Sequence, residues 1–367
     1  MKHLALLLLP GLAVAGPFPG DDSIEPSPSM IWISSAEVSP GPVDASIPDG
    51  AKAAYGSASD ATGPSDAADD VTVGVVSLGD GGIATLKLAS PVADGAGPDL
   101  AVYENGFDQA FLELAHVEVS SDGIHFVRFP SVSGTQTDTQ IGGFTYNGID
   151  PTDLHNLAGK YEAGLGTPFD LNELRGASPR LDVSHITHIR IIDVVGSINP
   201  ALGSTDSQGN FINDPFKTNF NTGGFDLDAA AGLHAAPANS TSWLSMYFPS
   251  GGDTGDADDP DGDRIANLVE YATASDPTQP NPAPLKLSLS GGSTSLSWTR
   301  AHGRSDVTLS LQGSDDLSNW TTLTTAIGAG SSTAQAAGVA VTDSTVNSSV
   351  TASVPADYTF FRLKAER

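Results

Sequence analysis

From about residue 30 to residue 233, the chain consists of short apolar runs separated by clusters of Gly, Asp, Pro and Ser. The 40 glycines and 25 prolines among its 367 residues interrupt any longer regular pattern. Proline lacks a backbone N–H and glycine loses much conformational entropy on folding, so neither supports long helices. Short apolar runs between turn residues are instead typical of antiparallel sheets packed face to face. The sequence therefore predicts an all-β protein built from β-sandwiches.

Glycine-containing turns and alternation locate individual strands. Residues 71–88 and 117–129 each hold two apolar runs around such a turn, which predicts two hairpins. Partial alternation over 186–195 predicts a largely buried strand. The irregular stretch 131–180 is longer than an ordinary loop. We expect it either to be functional or to contain elements that the pattern does not reveal.

Composition also divides the chain into modules. Three prolines in residues 278–284 predict a stiff linker, and regular alternation resumes after it. The predicted divisions are a signal peptide at 1–15, a first β-sandwich at 16–235, a junction with short helices at 240–277 and a smaller second β-sandwich at 285–367.

The first fifteen residues have the composition of a secretory signal peptide. Lys2 is followed by an apolar run, and Ala13-Val14-Ala15 supplies the small residues of a cleavage site. The apolar run is too short to span a bilayer, and no later stretch is apolar enough to do so. We therefore expect a secreted, extracellular or cell-surface protein without a membrane span. The absence of cysteine in an exported chain suggests a bacterial source.

The charge balance limits the classes of partner. The chain has 44 acidic and 16 basic residues and a formal net charge of −28 at pH 7. Nucleic acids and anionic membranes are bound through clustered Lys and Arg, so neither is expected as a partner. Because the chain has no cysteine, disulfides, thiolate zinc sites and cysteine nucleophiles are excluded as well.

A run of acids between the modules has the spacing of a calcium-binding loop. A hard cation such as Ca²⁺ is held by about six to eight oxygen atoms, which EF-hand loops supply from positions 1, 3, 5, 7, 9 and 12 of twelve. Residues 259–270 match this spacing, with a backbone carbonyl at position 7 and a carboxylate from the following helix at position 12. The predicted calcium ligands are Asp259, Asp261, Asp263, Ile265, Asn267 and Glu270.

One position departs from the EF-hand pattern. Position 6, where EF-hands have glycine for a sharp turn, is Arg264, and the glycine lies at residue 262. A non-glycine residue at positive φ costs about 1 kcal/mol, so we expect weaker affinity or a differently bent loop. A single loop of this kind is expected to be a structural staple rather than a sensor. The alternative is an acidic linker that binds no cation.

The region from residue 240 onward resembles a junction found in many exported bacterial surface proteins. Residues 243–248, the Asp-Pro-Asp-Gly-Asp run at 259–263 and Asp276-Pro277 are similar to thrombospondin type 3 and dockerin calcium repeats. Ser314-Asp315-Asp316-Leu317-Ser318-Asn319-Trp320 is similar to a Ser-x-Asp-Leu-x-x-Trp motif in the terminal sandwich of those proteins, with one extra residue. The resemblance implies a calcium loop followed by an immunoglobulin-like or fibronectin-like β-sandwich.

Residues 31–233 resemble an uncharacterised family of bacterial cell-surface modules. The run Val117-Glu118-Val119-Ser120-Ser121-Asp122-Gly123, with Phe126 after it, is similar to a hairpin of discoidin-like, galactose-binding-type jelly rolls. The run at 97–107 is equally distinctive. The resemblance implies a jelly-roll β-sandwich and export, without an established chemistry.

The glycine-rich segments of this module hold candidate ligand-binding residues. Aromatic rings there can stack on a sugar, and acids near strand ends can hold a ligand or a cation. The residues predicted to bind a carbohydrate or another surface component are Tyr103, Glu104, Tyr146, Phe216 and Phe220. The alternatives are that the aromatic residues are core and that the acids cap turns.

Catalysis has no motif in this chain. A nucleophile elbow, a P-loop and a dinucleotide fingerprint are all missing from the sequence, which favours a non-enzymatic protein. Carboxylate pairs that hydrolyse glycosides leave no sequence signature, however. Two alternatives therefore stay open: a secreted polysaccharide-degrading enzyme with its acids in 131–180 or 199–228, and a structural spacer without a ligand.

Overall fold

The computed structural model describes residues 16–47, 49–68, 74–107, 111–290, 293–301, 303–344 and 349–367. Its regular structure is mostly β, which confirms the all-β prediction. The predicted signal peptide, residues 1–15, and part of the first predicted hairpin, residues 71–73, lie outside the described residues. Within the described ranges, no helix has the length and apolar character needed to cross a membrane.

The described residues of the first module form twelve strands, and a 3₁₀ helix, Ala58–Ala61, lies between the first two. The strands are β1 (Ile31–Ser39), β2 (Val76–Ser77), β3 (Ile83–Val92), β4 (Leu100–Glu104), β5 (Ala115–Ser120), β6 (Val127–Arg128), β7 (Val132–Ser133), β8 (Leu154–His155), β9 (Leu157–Ala158), β10 (Thr167–Phe169), β11 (Ile186–Asp193) and β12 (Asp226–Gly232).

Eight of these strands form two antiparallel sheets joined by β1, while β2 pairs with β12, β9 pairs with β5, and β7 and β8 form a separate two-stranded sheet. One sheet has the order β10-β4-β12-β1, and the other continues from β1 as β3-β11-β5-β6. β1 belongs to both because Ile31 and Trp32 pair with β12, whereas residues 33–39 pair with β3. Numbering these eight strands in chain order gives 1-8-3-6 and 2-7-4-5, which is the strand order of a jelly roll. The predicted jelly-roll β-sandwich is therefore confirmed.

The core of the jelly roll lies between the two sheets. Alternate residues of a strand point to opposite faces, and in β3 Ala84, Leu86 and Leu88 are buried. Phe129, which follows β6, and Phe169 of β10 meet across the sandwich with ring centroids 5.1 Å apart. This packing holds the loops at the two ends of the sandwich in fixed positions.

The hairpin predicted over 71–88 is wrong, whereas the one over 117–129 is confirmed. β2 pairs with β12, and β3 pairs with β1 and β11, so the chain crosses between sheets at Gly79 and Gly81. Both glycines have positive φ, a conformation that serves a crossing turn as well as a hairpin. β5 and β6 do pair directly with each other.

The stretch 131–180 is made of short elements rather than one long loop. Besides β7 to β10, it contains two 3₁₀ helices, Pro151–Asp153 and Leu171–Leu174. Asp150 and Asp170 cap them by accepting hydrogen bonds from backbone N–H groups. Elements of two to four residues are too short to show periodicity in the sequence, which is why the pattern did not reveal them.

In the second module, the residues that the structure describes form two short helices and eight strands. The helices are α1 (Ser240–Tyr247) and α2 (Asn267–Thr273), and the strands are β13 (Lys286–Ser290), β14 (Ser293–Thr299), β15 (Thr308–Ser314), β16 (Thr321–Ile327), β17 (Thr333–Ala334), β18 (Ala340–Ser344), β19 (Ser349–Val354) and β20 (Phe360–Glu366).

These strands form a sandwich of two four-stranded sheets. The orders are β13-β14-β19-β18 and β17-β16-β15-β20. The first corresponds to the A-B-E-D sheet of immunoglobulin sandwiches, as the resemblance implied. The two sheets share one core, to which β14 contributes Trp298, β15 contributes Leu311 and β19 contributes Val350.

Both helices pack onto this second sandwich. Trp243 of α1 and Tyr271 of α2 are buried in the same core, with ring centroids 5.4 Å apart. The N-cap of α1 is Asn239, one residue before Ser240, because its side chain accepts a hydrogen bond from the helix backbone. Ser240 and Thr241, which follow it, are already helical. The junction and the sandwich therefore form one packed body.

Two arginines connect this body to the jelly roll. Arg175 lies over the ring of Tyr247 and forms ion pairs with Asp94 of the jelly roll and Asp276 after α2. Arg304, almost fully buried, donates to Asp182 of the jelly roll at 2.6 Å. Planar guanidinium groups suit such positions because they stack on aromatic rings while donating several hydrogen bonds.

Candidate functional site

A cleft opens at one end of the jelly roll, where β4 ends and β12 begins. The two strands are antiparallel neighbours, with Glu104 opposite Leu227, so these two ends lie side by side. The cleft has a volume of about 440 Å³, within the usual range of small-molecule sites, about 300–1,000 Å³. We call it the aromatic-acid cleft. Its lining residues are Tyr55, Glu104, Asn105, Gly106, Phe107, Phe111, Glu113, Gly143, Phe144, Tyr146, Phe220, Thr222 and Asp226.

Aromatic rings form the sides of the aromatic-acid cleft. Phe107, Phe111 and Tyr146 contact one another with ring centroids 5.5 to 6.0 Å apart, and Phe144 contacts Phe220 at 5.8 Å. Phe144 is 80% exposed and Tyr146 52% exposed. Large aromatic surfaces left open to solvent beside a concave site are typical of binding sites.

Three buried carboxyl groups line the interior of the cleft. Glu104 accepts a hydrogen bond of 2.7 Å from the backbone N–H of Gly106. Asp226 accepts hydrogen bonds from the side chains of Ser77 and Asn105. Glu113 is only 8% exposed, and its Oε1 atom is buried without a hydrogen-bond partner. A buried oxygen without a partner costs free energy, so its retention here points to a ligand.

All three carboxyl groups titrate above their ordinary range. Burial raises the pKa of Glu104 well above its usual value, and the nearby carboxylate of Asp226 raises it further. Burial likewise raises the pKa of Asp226 to about 7. For Glu113, burial is the main cause of a strongly raised pKa, followed by repulsion from Asp226 and Glu104. The raised pKa values favour the protonated forms of these carboxyl groups, which can donate as well as accept hydrogen bonds.

Three more acids support the loops around the aromatic-acid cleft. Asp193 accepts from the backbone N–H groups of Phe225 and Gly81, and Asp214 accepts from that of Leu114. Asp80 accepts from the backbone of Ala45. Burial raises the pKa of all three carboxyl groups. They hold backbone in place and do not line the cleft.

The structure brings three of the five predicted ligand-binding residues to this cleft. Glu104, Tyr146 and Phe220 line it. Tyr103, the neighbour of Glu104 on β4, points the opposite way and is fully buried against Trp32. Phe216 is also buried and does not line the cleft. Neither Tyr103 nor Phe216 therefore offers a face to a ligand here. The sequence did not reveal this, because it does not show which side chains of a sandwich point into the core and which point away from it.

Glu113 is a carboxyl group of this cleft that was not predicted from the sequence. It lies between Leu112 and Leu114, both fully buried, just before β5. An acid inside an apolar run is a signal, because such runs normally enter the core. The aromatic residues Tyr55, Phe111 and Phe144 were missed as well, since their loops come together only in the fold.

The predicted calcium loop has the hydrogen bonds that a tight loop needs. Asp259 accepts backbone N–H bonds from Gly262, Asp263 and Arg264 at 2.9 to 3.1 Å. Asp263 accepts from the N–H of Ile265 at 2.7 Å. These bonds turn the chain so that Asp259, Asp261 and Asp263 bring carboxylate oxygens within 4.8 Å of one another.

Oxygen atoms without partners occur at three of the predicted ligands. Oδ2 of Asp261, Oδ1 of Asn267 and Oε2 of Glu270 are buried and accept no hydrogen bond. The amide nitrogen of Asn267 meanwhile donates to two backbone carbonyls of the preceding acidic segment. Hard oxygen donors gathered in this way fit Ca²⁺. The residues present therefore fit the predicted ion, and calcium binding stays a prediction.

Glu270 is the most unusual ligand candidate. It lies on α2 and is fully buried. Burial, followed by repulsion from Asp261, Asp263 and Asp276, raises its pKa to about 9.

Position 6 of the loop, Arg264, has φ of 76°, so the chain takes the turn that EF-hands assign to glycine.

A third acidic cluster, Asp94, Asp99 and Asp170, also brings its oxygens within 4.8 Å. Its members have partners: Arg175 pairs with Asp94, and His234 and two backbone N–H groups contact Asp99. Asp170 caps the helix Leu171–Leu174. The cluster holds the end of the jelly roll near the second body.

Neither the family models nor the curated proteins contain a match to this chain. The two sites described above are therefore the features from which a function can be inferred.

Proposed function

We propose that this chain is an exported surface or extracellular protein whose jelly roll binds a carbohydrate in the aromatic-acid cleft and whose 259–270 loop holds a structural calcium ion. One observation carries the proposal: the cleft combines open aromatic faces with buried carboxyl groups, one of which has an oxygen without a partner. Export and calcium rest on the sequence features of residues 1–15 and 259–270.

The chemistry of a sugar ring matches both parts of the cleft. One face of a pyranose presents C–H groups that pack against an aromatic ring, and its edge presents hydroxyl groups. Phe144 and Tyr146 offer such rings, and Glu104, Glu113 and Asp226 offer hydrogen-bonding groups. Because the raised pKa values favour the protonated forms of these carboxyl groups, they can pair with hydroxyls that both donate and accept.

Binding to a panel of polysaccharides tests this proposal. Soluble polysaccharides are examined by affinity electrophoresis and insoluble ones by pull-down, with the wild type and with Phe144→Ala and Tyr146→Ala. We expect each variant to bind about fivefold more weakly, because one aromatic contact is worth about 1 kcal/mol. Phe360→Ala, which removes an exposed ring from the second sandwich, is the matched control.

Two results would overturn the proposal. One is the absence of binding to every polysaccharide by a folded wild-type protein. The other is equal weakening by Phe144→Ala and by the control, because a non-specific loss would not distinguish the cleft from any exposed ring.

The calcium part has its own function in the proposal. Asn281 donates its backbone N–H to Asp263 and its side chain to the Asp276 carbonyl, so the loop is tied to the proline-rich linker. Asp276 is also paired with Arg175 of the jelly roll. A cation at the loop would therefore stiffen the connection between the two modules.

Glycoside hydrolysis is a second candidate function, favoured by the raised pKa values. A general acid must be protonated at the working pH, as Glu104, Glu113 and Asp226 are expected to be. Reducing-end release from the polysaccharides that bind distinguishes the two functions. Release that Glu113→Gln abolishes would establish the enzyme, and binding without release would leave a binding module.

A further inference from the structure

We propose that the aromatic-acid cleft selects saccharides that carry a protonated amine, whose ammonium group forms a hydrogen bond with the unpartnered Oε1 of Glu113 while the sugar ring stacks on the cleft's aromatic side chains. This inference rests on the proposed carbohydrate function and names its ligand class.

The charge of the cleft is the first feature that favours a protonated amine. Glu104, Glu113 and Asp226 line the cleft, and none of its described lining residues is Lys, Arg or His. Asp193 and Asp214 lie close enough to Glu113 to raise its pKa further. Among the described residues, the charged groups that shift the pKa of Glu113 are all carboxyl groups. A neutral ligand leaves these carboxyl groups in their protonated forms, whereas a cation stabilises their ionised forms directly.

The unpartnered oxygen of Glu113 is the second feature that favours a protonated amine. Oε1 of Glu113 accepts no hydrogen bond although Glu113 is more than nine-tenths buried and lines the cleft. An ammonium group has three N–H donors and no acceptor, so it complements an environment of acceptors. Charge-assisted hydrogen bonds of this type are about twice as strong as those between neutral groups.

The aromatic surface of the cleft is the third feature that favours a protonated amine. The faces of Phe and Tyr rings attract cations because the ring quadrupole is negative above the plane. Phe107, Phe111 and Tyr146 contact one another along one side of the cleft, and Phe144 and Phe220 form a second pair. The combination of ring faces and carboxylates is typical of sites that recognise organic ammonium groups.

The arrangement fits an organic cation better than a bare metal ion. In the part of the chain that the structure describes, the three carboxylates of the 259–270 loop and those of the Asp94 cluster bring ligand atoms within 4.8 Å of one another, but the cleft carboxyl groups do not form such a set. A cleft of about 440 Å³ also accommodates at least one sugar ring.

Three tetrasaccharides that differ at one position test the inference. Tetramers of β-1,4-linked glucosamine, N-acetylglucosamine and glucose carry an ammonium, an acetamide and a hydroxyl at C2. Isothermal titration at pH 6 and 0.15 M NaCl is expected to show at least tenfold tighter binding of the glucosamine tetramer. We also expect proton release on binding of this tetramer alone, measured in two buffers of different ionisation enthalpy, because the ammonium favours the ionised carboxylates.

Variants separate the cleft from the general acidity of the chain. Glu113→Gln keeps the shape of the side chain and is expected to remove the preference for glucosamine. Tyr146→Leu, at a half-exposed position, is expected to reduce it without affecting the fold. Glu25→Gln, which removes an exposed acid outside the cleft, is the matched control and is expected to change nothing.

The outcomes distinguish this inference from the proposed function. Equal affinity for the three tetramers, or tighter binding of a neutral one, overturns the ammonium preference and leaves carbohydrate binding in place. A glucosamine preference that Glu113→Gln retains also overturns it, because the attraction then belongs to the net charge. If none of the three binds, the inference fails, and the wider polysaccharide panel decides the proposed function.

Discussion

Replacement of Glu270 by Gln should stabilise the calcium-free protein and abolish its response to calcium. Glu270 is fully buried in α2, and one of its oxygens has no hydrogen-bond partner. Its pKa is raised from 4.5 to about 9 by burial and by the neighbouring acids. Glutamine has the same shape but never ionises, so it removes the cost of keeping this carboxyl group inside the body.

The size of the effect follows from the pKa difference. Between pH 4.5 and about 9 the unfolded chain releases a proton that the folded, calcium-free chain retains. Stability therefore falls as the pH rises through this window, by about 1.4 kcal/mol per unit. At pH 7 the wild-type protein without calcium should be about 3 kcal/mol less stable than Glu270→Gln, and the difference should vanish below pH 4.5.

Urea denaturation followed by tryptophan fluorescence measures this difference. Trp243 and Trp298 are buried in the core of the second body and report its unfolding. In chelator, the stability of the wild type should fall with pH, whereas that of Glu270→Gln should not fall at this rate. Calcium at a hundred times its dissociation constant should stabilise the wild type by about 2.7 kcal/mol and should not stabilise the variant.

Glu25→Gln at an exposed position is the control for the loss of one charge. The reasoning is refuted if Glu270→Gln is less stable than the wild type in chelator across the pH range. It is refuted equally by a calcium response that the variant retains.

Three further predictions follow from contacts in the second body and at its junction with the jelly roll. Arg264→Gly relieves a residue with φ of 76° and should raise stability by about 1 kcal/mol, measured by urea denaturation in chelator, and should tighten calcium binding measured by titration calorimetry. Trp243→Ala empties a buried position where α1 meets the sandwich and should cost about 3–5 kcal/mol in the unfolding of the second body, with the calorimetric transition of the jelly roll unchanged. Arg304→Met leaves Asp182 without its charged partner and should lower the free energy of unfolding by about 3 kcal/mol. In scanning calorimetry the transitions of the two modules should then move apart. Unchanged transitions would show that the modules do not depend on this contact.

The sequence predicted the all-β fold because turn residues and alternation are local. The hairpin over β5 and β6 was found because its turn and its pairing lie within thirteen residues. The hairpin over 71–88 was wrong for a reason that no local pattern resolves. Gly79 and Gly81 permit either a hairpin or a crossing, and the choice depends on which distant strands complete the two sheets.

The two candidate sites likewise differ in how far a local sequence pattern predicts them. The clustering of Asp259, Asp261 and Asp263 could be predicted from the sequence, since these residues are separated by fixed short spacings. The aromatic-acid cleft could be predicted only in part, because Glu104, Glu113, Tyr146 and Phe220 come from separate loops that meet at one end of the sandwich. Tyr103 was assigned wrongly to a binding surface because the sequence does not show which face of β4 turns toward the cleft.

The central claim is that the aromatic-acid cleft is where a saccharide binds. Hydrogen–deuterium exchange of the full chain, with and without the tightest-binding member of the polysaccharide panel, tests it most directly. We predict slower exchange in the segments 104–107, 111–113, 143–146 and 220–226, and unchanged exchange in the second sandwich. Protection that falls in the second sandwich or at the opposite end of the jelly roll would contradict the claim.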